Sequence, residues 1–467
     1  MRKGLVVLLA AVLVAAFALP AMADVKFFGT ARVMPTYYSN FDFDDNHADV
    51  ATLNEGGFTF GEHIRGELRL GWSAGGDKWK ISMIAESDLI FNKNNADRSF
   101  YTSSQVPATG SATAVPNAGA EFGIERAEFS YAFTPALELF AGWPISAADI
   151  GTGGLLYGDD HPILGLRGKL TDAVKYQLVY INIQNTPTIG ASESTLRNDW
   201  RAYLLKPDFS IGTGAAKGTL SPIVLFSDNR ARNAKITYYG LEGIGQFGFI
   251  KPSFEVIYAD GEFRATGNDI QSYAAFGGVE VALSKAFNPY IAVRYTSGDD
   301  DATDSDVEGF VGVTDIGRFT PLMGMDGNIL GEHLSSGVFY NSPLYSYAPD
   351  RAVGGNLYGG ISNGSSGNNP GSMIFALGAK GSLSEKFSYK AQLFGIWFDE
   401  TANLGASVDD YAGTTLDILL KYDFSKNFSA TYIFSGFVPG DGIKDQQAST
   451  ADDTFASVNT LQLVWVY

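Results

Sequence analysis

Charged side chains at alternate positions are the residues of this chain best placed to act together. In the segment 59–73, large apolar residues alternate with a polar set that contains His63, Arg65, Glu67 and Arg69. Alternation with a period of two residues is typical of a β-strand and puts each set on one face. A strand face that carries opposite charges can order water and guide ions, whereas covalent catalysis needs a positioned nucleophile.

Motifs for catalysis and for cofactor binding are weak. The four histidines are too scattered for a metal-ligand spacing, and the absence of cysteine excludes thiolate sites and a cysteine nucleophile. The segment 243–248 matches the expression G-x-G-x-x-G, but a strand is predicted after it, where nucleotide binding requires a helix. His63 and Glu67 are the one local acid–base pair, and we interpret them as part of the polar strand face. We therefore predict that the protein is not an enzyme and has no cofactor.

Five places along the chain join two alternating segments in the same way. In each, a large apolar residue is followed by a polar-rich insert of three residues and a second large apolar residue. The five places are 133–137, 170–174, 283–287, 383–387 and 424–428. This pattern predicts tight hairpins at one end of a barrel, because only a closed barrel pairs every backbone N–H and C=O of β-strands inside a membrane.

The predicted fold is all-β, a transmembrane antiparallel up-and-down β-barrel of about 18 strands with short periplasmic turns and long extracellular loops. Sixteen strands are the alternative, because the alternation is weakest in 197–228 and 235–263. Every second predicted connection is short, except the longer stretch 208–217. The longest connection, 299–371, exceeds ordinary loop lengths, and we place it outside the cell over the barrel mouth.

The N-terminal residues predict export. Arg2 and Lys3 precede an apolar run and the sequence Ala21-Met22-Ala23, which is the pattern of a cleaved signal peptide at 1–23. The barrel would then occupy 24–467 in the outer membrane of a Gram-negative bacterium, beside membrane lipid and lipopolysaccharide. The formal net charge of −18 makes nucleic acid an unexpected partner.

Two acidic clusters in the predicted extracellular loops favour hard divalent cations. One contains Asp42, Asp44, Asp45 and Asp49, and the other is the aspartate-rich segment 299–306. Neither cluster has the spacing of an EF-hand. We interpret both as solvated loops, with structural Ca²⁺ or Mg²⁺ that bridges to lipopolysaccharide phosphates as the alternative.

The region from the second to the ninth predicted strand resembles the homotrimeric outer-membrane porins of sulfate- and metal-reducing bacteria. The residues that carry the resemblance are RAEFSY at 126–131, LELFAGW at 137–143, GGLLYGDD at 153–160 and GLR at 165–167. The resemblance implies a trimer of water-filled pores in which the connection 146–162 folds inward as a constriction loop. An external loop with ordinary polar decoration is the alternative. Carboxylates of the constriction loop would face charged residues of the strands across the pore. The loop carboxylates are Asp149, Asp159 and Asp160, and the strand residues are Arg32, Arg65, Glu67, Arg69 and Arg126.

Together these features predict a water-filled channel for passive diffusion of small hydrophilic solutes and ions. We expect a weak preference for cations, because acidic residues crowd the predicted mouths. Three other interpretations stay open. The first is a substrate-specific porin of the sugar type, the second is a binding or structural barrel closed by 299–371, and the third is a rim hydrolase that uses His63.

Overall fold

The computed structural model describes most of the chain. The described residues are 25–39, 62–90, 100–101, 120–144, 146–149, 152, 154–159, 161–187, 197–230, 233–263, 267–301, 303–313, 370–404, 407–446 and 455–467. The predicted signal peptide at 1–23 lies outside these residues. No helix in the described ranges is both long enough and apolar enough to cross a membrane. The two helical pieces there are α1 (Asp441–Gln446) and a 3₁₀ turn, Ala402–Leu404.

Eighteen strands of seven residues or more form the wall of the molecule. In chain order they are β1 (Lys26–Ser39), β2 (Glu62–Gly75), β3 (Trp79–Ile90), β4 (Ala120–Thr134), β5 (Leu137–Trp143), β6 (Ile163–Thr171), β7 (Val174–Pro187), β8 (Arg197–Thr213), β9 (Ala216–Asn229), β10 (Ala234–Phe247), β11 (Ile250–Phe263), β12 (Asn268–Val281), β13 (Asn288–Thr296), β14 (Ser372–Ser382), β15 (Phe387–Trp397), β16 (Tyr411–Ser425), β17 (Phe428–Pro439) and β18 (Ala456–Val466). Each strand pairs antiparallel with the next, and β1 pairs with β18, so the sheet closes on itself. The predicted barrel of 18 strands is confirmed, and the alternative of 16 strands is wrong.

The seam between the first and last strands closes the barrel. Thr30 pairs with Val466, and the backbone groups of Gly29 and Tyr467 exchange two hydrogen bonds of 3.2 Å. A Cβ atom on Gly29 would collide with the Tyr467 ring and with the backbone of Arg69. Glycine is therefore required at this close approach of three strands.

Short turns lie at the end of the barrel where β1 begins and β18 ends. The turns from β2–β3 to β16–β17 contain two to six residues, and all five predicted hairpins are among them. Large side chains that flank these turns are exposed, including Phe133 at 53% and Leu383 at 62%. They form an apolar ring around this end of the barrel, as expected where a wall meets a membrane boundary.

One turn differs from the sequence-based prediction. The stretch 208–217 is not a longer connection, because β8 continues to Thr213 and β9 begins at Ala216. Leu205 pairs with Val224 and Phe209 with Leu220, so the same register places Pro207 opposite Pro222. The stretch 208–217 itself reads DFSIGTGAAK, and its two glycines interrupt the alternation, which is why the sequence suggests a loop.

The faces of the strands follow the predicted alternation in β2 and β16. Leu70 is 48% exposed on the outside of β2, whereas Glu67 and Arg69 are buried inside the barrel. On β16, Leu416 is exposed, and its neighbour Asp417 is buried. The apolar set therefore faces outward and the charged set inward, which is the arrangement that a membrane-spanning barrel needs.

The inward face is not polar all the way round. From β7 to β12 it carries buried apolar side chains, among them Ile181, Leu204 and Leu225. Their outward neighbours are apolar as well, for example Leu178 and Leu205. This sector therefore has a hydrophobic core inside the barrel, and two chain segments cover it.

Candidate functional site

The first inward segment, residues 144–162, connects β5 to β6 and folds into the barrel. Its two arms form a small hairpin in which Ser146 pairs with Asp159 and Ala147 with Gly158. At its tip, Leu155, Leu156 and Tyr157 are at most 1% exposed and pack on the apolar inward wall of β7 to β12. Burial of three large side chains contributes about 1.5–3 kcal/mol each, so the segment is held firmly to this wall.

Polar contacts anchor the same segment to β8, β10 and β11. The Thr152 hydroxyl lies 2.9 Å from Glu242 Oε2 and 2.9 Å from Glu255 Oε2. Lys206 Nζ donates to the backbone oxygen of Ala148 and also pairs with Glu242. All of these side chains are buried, so each polar group depends on its partners in the protein.

Asp149 lies in this segment but differs from the predicted role of its carboxylate. The residue is fully buried, and its carboxylate accepts hydrogen bonds from Leu156 N at 2.5 Å and Tyr157 N at 3.0 Å. The N–H groups of a tight turn are strong partners for a carboxylate. The side chain is therefore occupied within the loop and does not face the arginines of the opposite wall. Asp160 and the side chain of Asp159 lie outside the described residues.

The second inward segment, residues 303–313, belongs to the predicted extracellular connection 299–371. Val307 pairs with Ile270 near the beginning of β12, and the chain then turns inward. Phe310 is fully buried, Tyr238 on β10 donates a hydrogen bond of 2.8 Å to the Val311 carbonyl, and Val313 N donates to the Leu156 carbonyl at 2.8 Å. The beginning of this connection thus packs inside the wall and against the first inward segment, whereas the prediction placed it over the mouth. Residues 314–369 lie outside the described part.

Inward charges occupy the opposite wall, on β1 to β3. Arg32 Nη1 lies 3.5 Å and Arg69 Nε 3.1 Å from the same oxygen of Glu67, and Arg69 also pairs with Glu86. The predicted residues Arg32, Glu67 and Arg69 are therefore brought together as one charged network. Since β2 and β10 are eight strands apart in a barrel of eighteen, this network and the anchored loop lie on nearly opposite walls. The interior between them is the candidate pathway.

The other two predicted arginines lie on β4 and β2. Arg126 lies on β4 next to a bulge, opposite Ile84 and on the same face as Glu128. The side chain of Arg65 lies outside the described residues, although its backbone is part of β2.

Further inward ion pairs were not predicted from the sequence. Arg167 Nη2 on β6 lies 2.8 Å from Glu138 and 3.4 Å from Glu128, and its guanidinium stacks 4.6 Å above the Phe140 ring. In a second group, Glu280 on β12 lies 2.9 Å from both Lys251 and Lys380. Glu138 and Arg167 are cross-strand partners, so strand register is the signal that would have found them.

Acidic residues gather at the end of the barrel opposite the short turns, between β13 and the turn after β15. Burial raises the pKa of Glu308, as do the neighbouring Asp300 and Asp299. Burial also raises the pKa of Glu400, together with the adjacent Asp399. In the described ranges, no group of three or more potential ligands is arranged to hold a metal ion. The other predicted cluster, at 42–49, lies outside those ranges.

Comparison with known proteins shows the fold. No protein-family model matches the chain, and neither does a curated protein. Among solved structures, Pseudomonas aeruginosa OccK2 (OpdF) is 12% identical with a TM-score of 0.54, and the match covers 95% of this chain and 97% of that one. The same protein in complex with glucuronate has a TM-score of 0.55 at 11% identity. P. aeruginosa OpdK with vanillate has a TM-score of 0.54 at 10% identity. Each of these two matches covers 95% of this chain and 98% of the other. Acinetobacter baumannii OccAB4 has a TM-score of 0.55 at 10% identity, with the same coverage. At these identities the chain shares the 18-stranded barrel fold of these proteins.

Proposed function

We propose that this protein is an outer-membrane channel through which small hydrophilic solutes and ions diffuse passively. The observation that carries the proposal is the division of the closed barrel into an apolar outer face and a charged wall inside it. Apolar outward side chains suit contact with lipid, and partly exposed inward ion pairs such as Arg167–Glu138 suit contact with water. No covalent step and no energy source are needed for this activity.

Swelling of liposomes that contain the mature protein tests this proposal. Vesicles placed in a neutral sugar solution should swell at a rate that falls as the sugar becomes larger, because the two inward segments narrow one side of the barrel. Protein-free liposomes of the same composition are the control. Vesicles with correctly folded protein that swell no faster than the control contradict the proposal.

The channel has a second candidate function, selectivity for small carboxylate-bearing solutes. Two observations favour it over a general pore. Arg32 and Arg69 lie on the inward wall that faces the first inward segment, and fold neighbours were solved with glucuronate and with vanillate, both carboxylates. Guanidinium groups bind carboxylates in a geometry that suits selection.

Competition distinguishes these two candidates. Glucuronate should reduce single-channel current in a saturable manner, and uncharged glucose at the same concentration should not. The variant Arg69→Gln should weaken the block, and Lys169→Gln, near the β6–β7 turn, is the matched control. Equal effects of glucuronate and glucose favour the general pore.

The location and assembly of the channel belong to the same proposal. The N-terminal pattern at 1–23 supports export to the outer membrane of a Gram-negative bacterium, and the resemblance to homotrimeric porins supports a trimer that contacts lipid and lipopolysaccharide. Light scattering of the detergent-purified protein, corrected for bound detergent, should give three chains per particle. A mass of one chain contradicts the trimer and leaves the channel proposal intact.

A further inference from the structure

A cleft lies between the second inward segment and the barrel wall. Inward residues of β8 to β12 form one side of it, and the stretch 307–312 forms the other. The cleft includes Asn229, the last residue of β9, and Ala234, the first of β10, so it lies at the end of the barrel opposite the short turns. Counted together with the part open to solvent, about 510 Å³ of the cleft is free of atoms. Since it is partly open, a small molecule can enter it.

The lining of the cleft favours an uncharged ligand. No charged side chain is among the described residues that line it, and most of its surface is apolar. The rings of Trp200, Tyr238 and Phe263 lie on the wall side, and Val307 and Val311 lie on the side of the segment. An ionised group would lose its water there without gaining a partner of opposite charge. An apolar ring, in contrast, can pack against aromatic side chains in an offset or edge-to-face geometry.

Two polar groups of the lining already have partners. Trp200 Nε1 donates a hydrogen bond of 2.9 Å to Ser227 Oγ. The Tyr238 hydroxyl donates one of 2.8 Å to the Val311 carbonyl. Each of these bonds joins two residues that line the cleft, so they fix its shape.

Ser272 on β12 differs from these groups. The residue lines the cleft and is 1% exposed, and its hydroxyl finds no hydrogen-bond partner in the described part of the chain. A buried hydroxyl without a partner is costly, and the large majority of buried polar groups in folded proteins are hydrogen-bonded. The cleft therefore offers a ligand one polar contact, at Ser272.

A water molecule alone matches this lining poorly. Buried waters usually make about three hydrogen bonds, whereas a water beside Ser272 would be surrounded mainly by apolar atoms. A molecule with an apolar ring and one hydroxyl group matches both features. Its ring would cover the apolar lining, and its hydroxyl would bond to Ser272.

We propose that this cleft is a binding site for a small uncharged ring compound that carries one hydroxyl group, as phenol does. The ring packs between Trp200 and Phe263 on the wall and Val307 on the segment, and the hydroxyl exchanges a hydrogen bond with Ser272 Oγ. Because the ligand touches both sides of the cleft, its binding holds the second inward segment against the wall. The site requires only the folded barrel and goes beyond the proposed channel function.

Protection of a single introduced thiol tests the site without any measurement of current. The chain contains no cysteine, so Ala234→Cys places a unique thiol in the lining of the cleft. Its rate of modification by a maleimide is divided by that of Asp172→Cys, whose side chain is fully exposed in the β6–β7 turn. The ratio removes any direct effect of the ligand on the reagent. Phenol and toluene are the probes, at matched free concentrations, since they have nearly the same shape and only phenol has a hydroxyl.

The expected result is a labelling ratio that falls and then saturates as phenol is added. Toluene should need a concentration higher by about two- to tenfold for the same protection, because it lacks one hydrogen bond. Ser272→Ala should remove this difference between the probes. Ser221→Ala is the matched control and should keep it, because Ser221 is a buried inward serine that bonds to Asp208 outside the cleft. Ala259→Leu should fill the cleft and abolish protection by both probes.

Three results would overturn the site in a barrel that is folded by unheated gels. They are a labelling ratio that phenol does not change, equal protection by phenol and toluene in the chain with Ser272, and a preference for phenol that persists in Ser272→Ala. If Ala259→Leu does not fold, the comparison of Ser272→Ala with Ser221→Ala decides the question. A barrel that shows the predicted protection and yet conducts nothing overturns the channel function while the site stands.

Discussion

Arg32 on β1 and Glu67 on β2 are cross-strand partners, and the guanidinium Nη1 lies 3.5 Å from Glu67 Oε1. Arg69 approaches the same oxygen from the next inward position, at 3.1 Å, and also pairs with Glu86. One buried carboxylate is thus shared by two cations. The charge on this wall of the candidate pathway therefore depends on keeping both arginines.

Removal of Arg69 should make the channel more selective for cations. In Arg69→Gln, Glu67 and Glu86 lose a cation at close range, so the local potential becomes more negative, and the cation-to-anion permeability ratio should rise about twofold or more. The reversal potential in a salt gradient measures the ratio. Lys169→Gln should leave the ratio near that of the unaltered protein, and an unchanged ratio in Arg69→Gln would remove this network from the pathway.

Lower pH should reduce cation selectivity through the acidic residues of the extracellular end. The pKa values of Glu308 and Glu400 are raised, first by burial and then by nearby aspartates, so both become neutral at a higher pH than ordinary glutamates. Between about pH 7 and about pH 5, the mouth should lose negative charge and the permeability ratio should fall. Their neutral forms suit the folded loop, so their contribution to loop stability is present at low pH and lost as the pH rises.

The double variant Glu308→Gln, Glu400→Gln tests this assignment. At about pH 7 it should reproduce the lower selectivity of the unaltered protein at about pH 5 and show a weaker pH dependence. Glu262→Gln, an exposed glutamate at the extracellular end of β11, is the matched control. If the permeability ratio of the double variant depends on pH as it does in the unaltered protein, other groups set the charge of the mouth.

Substitution of Gly29 should disturb closure of the barrel. A Cβ at this position would strike the Tyr467 ring and the Arg69 backbone, so Gly29→Ala should destabilise the folded barrel by about 1–3 kcal/mol or prevent its assembly. Gly277→Ala is the control, because a Cβ there meets no atom within 4 Å. On unheated gels, folded and unfolded barrels migrate differently, so the band intensities measure the folded fraction. Equal folded fractions of the two variants would contradict the close-packed seam.

An aromatic stack at the short-turn end should stabilise the pairing of the last three strands. The rings of Phe424 and Phe428 lie 5.0 Å apart, and Phe428 and Trp465 lie 4.8 Å apart, linking β16, β17 and β18. Phe428→Ala should lower the free energy of unfolding by about 0.5–1.5 kcal/mol more than the loss of buried apolar area alone. It should also lower the temperature at which the folded gel band is lost. Phe287→Ala, at the β12–β13 turn, is the comparison, and an equal loss in both variants would argue that the stack adds nothing.

Period-two alternation was sufficient to predict the strands and their faces, because each strand of a membrane barrel meets lipid on one side and the interior on the other. The charged face of β2 and the five hairpins followed from it directly. Alternation failed in 208–217, where glycines interrupt it, and it gave no sign that Ile181 and Leu204 form an internal core. Both faces are apolar there, and the segments that cover the inner one are distant in sequence.

The position of Asp149 shows a second limit of the sequence. The sequence suggested a carboxylate that faces charged strand residues across the pore, but hydrogen bonds from Leu156 N and Tyr157 N decide its environment. These contacts form only after the loop has folded. The sequence shows which residues are charged. Which charges pair with each other depends on the register of the strands in the barrel.

Single-channel recording of the mature protein in planar bilayers shows directly whether the barrel conducts. We expect discrete, stepwise conductance that grows with salt concentration, and a reversal potential that shifts with Arg69→Gln and with the pH on the side that carries Glu308 and Glu400. A protein that is folded, as judged by unheated gels, and inserted in the bilayer, yet passes no current, would contradict the claim that its charged inner wall lines an aqueous pathway.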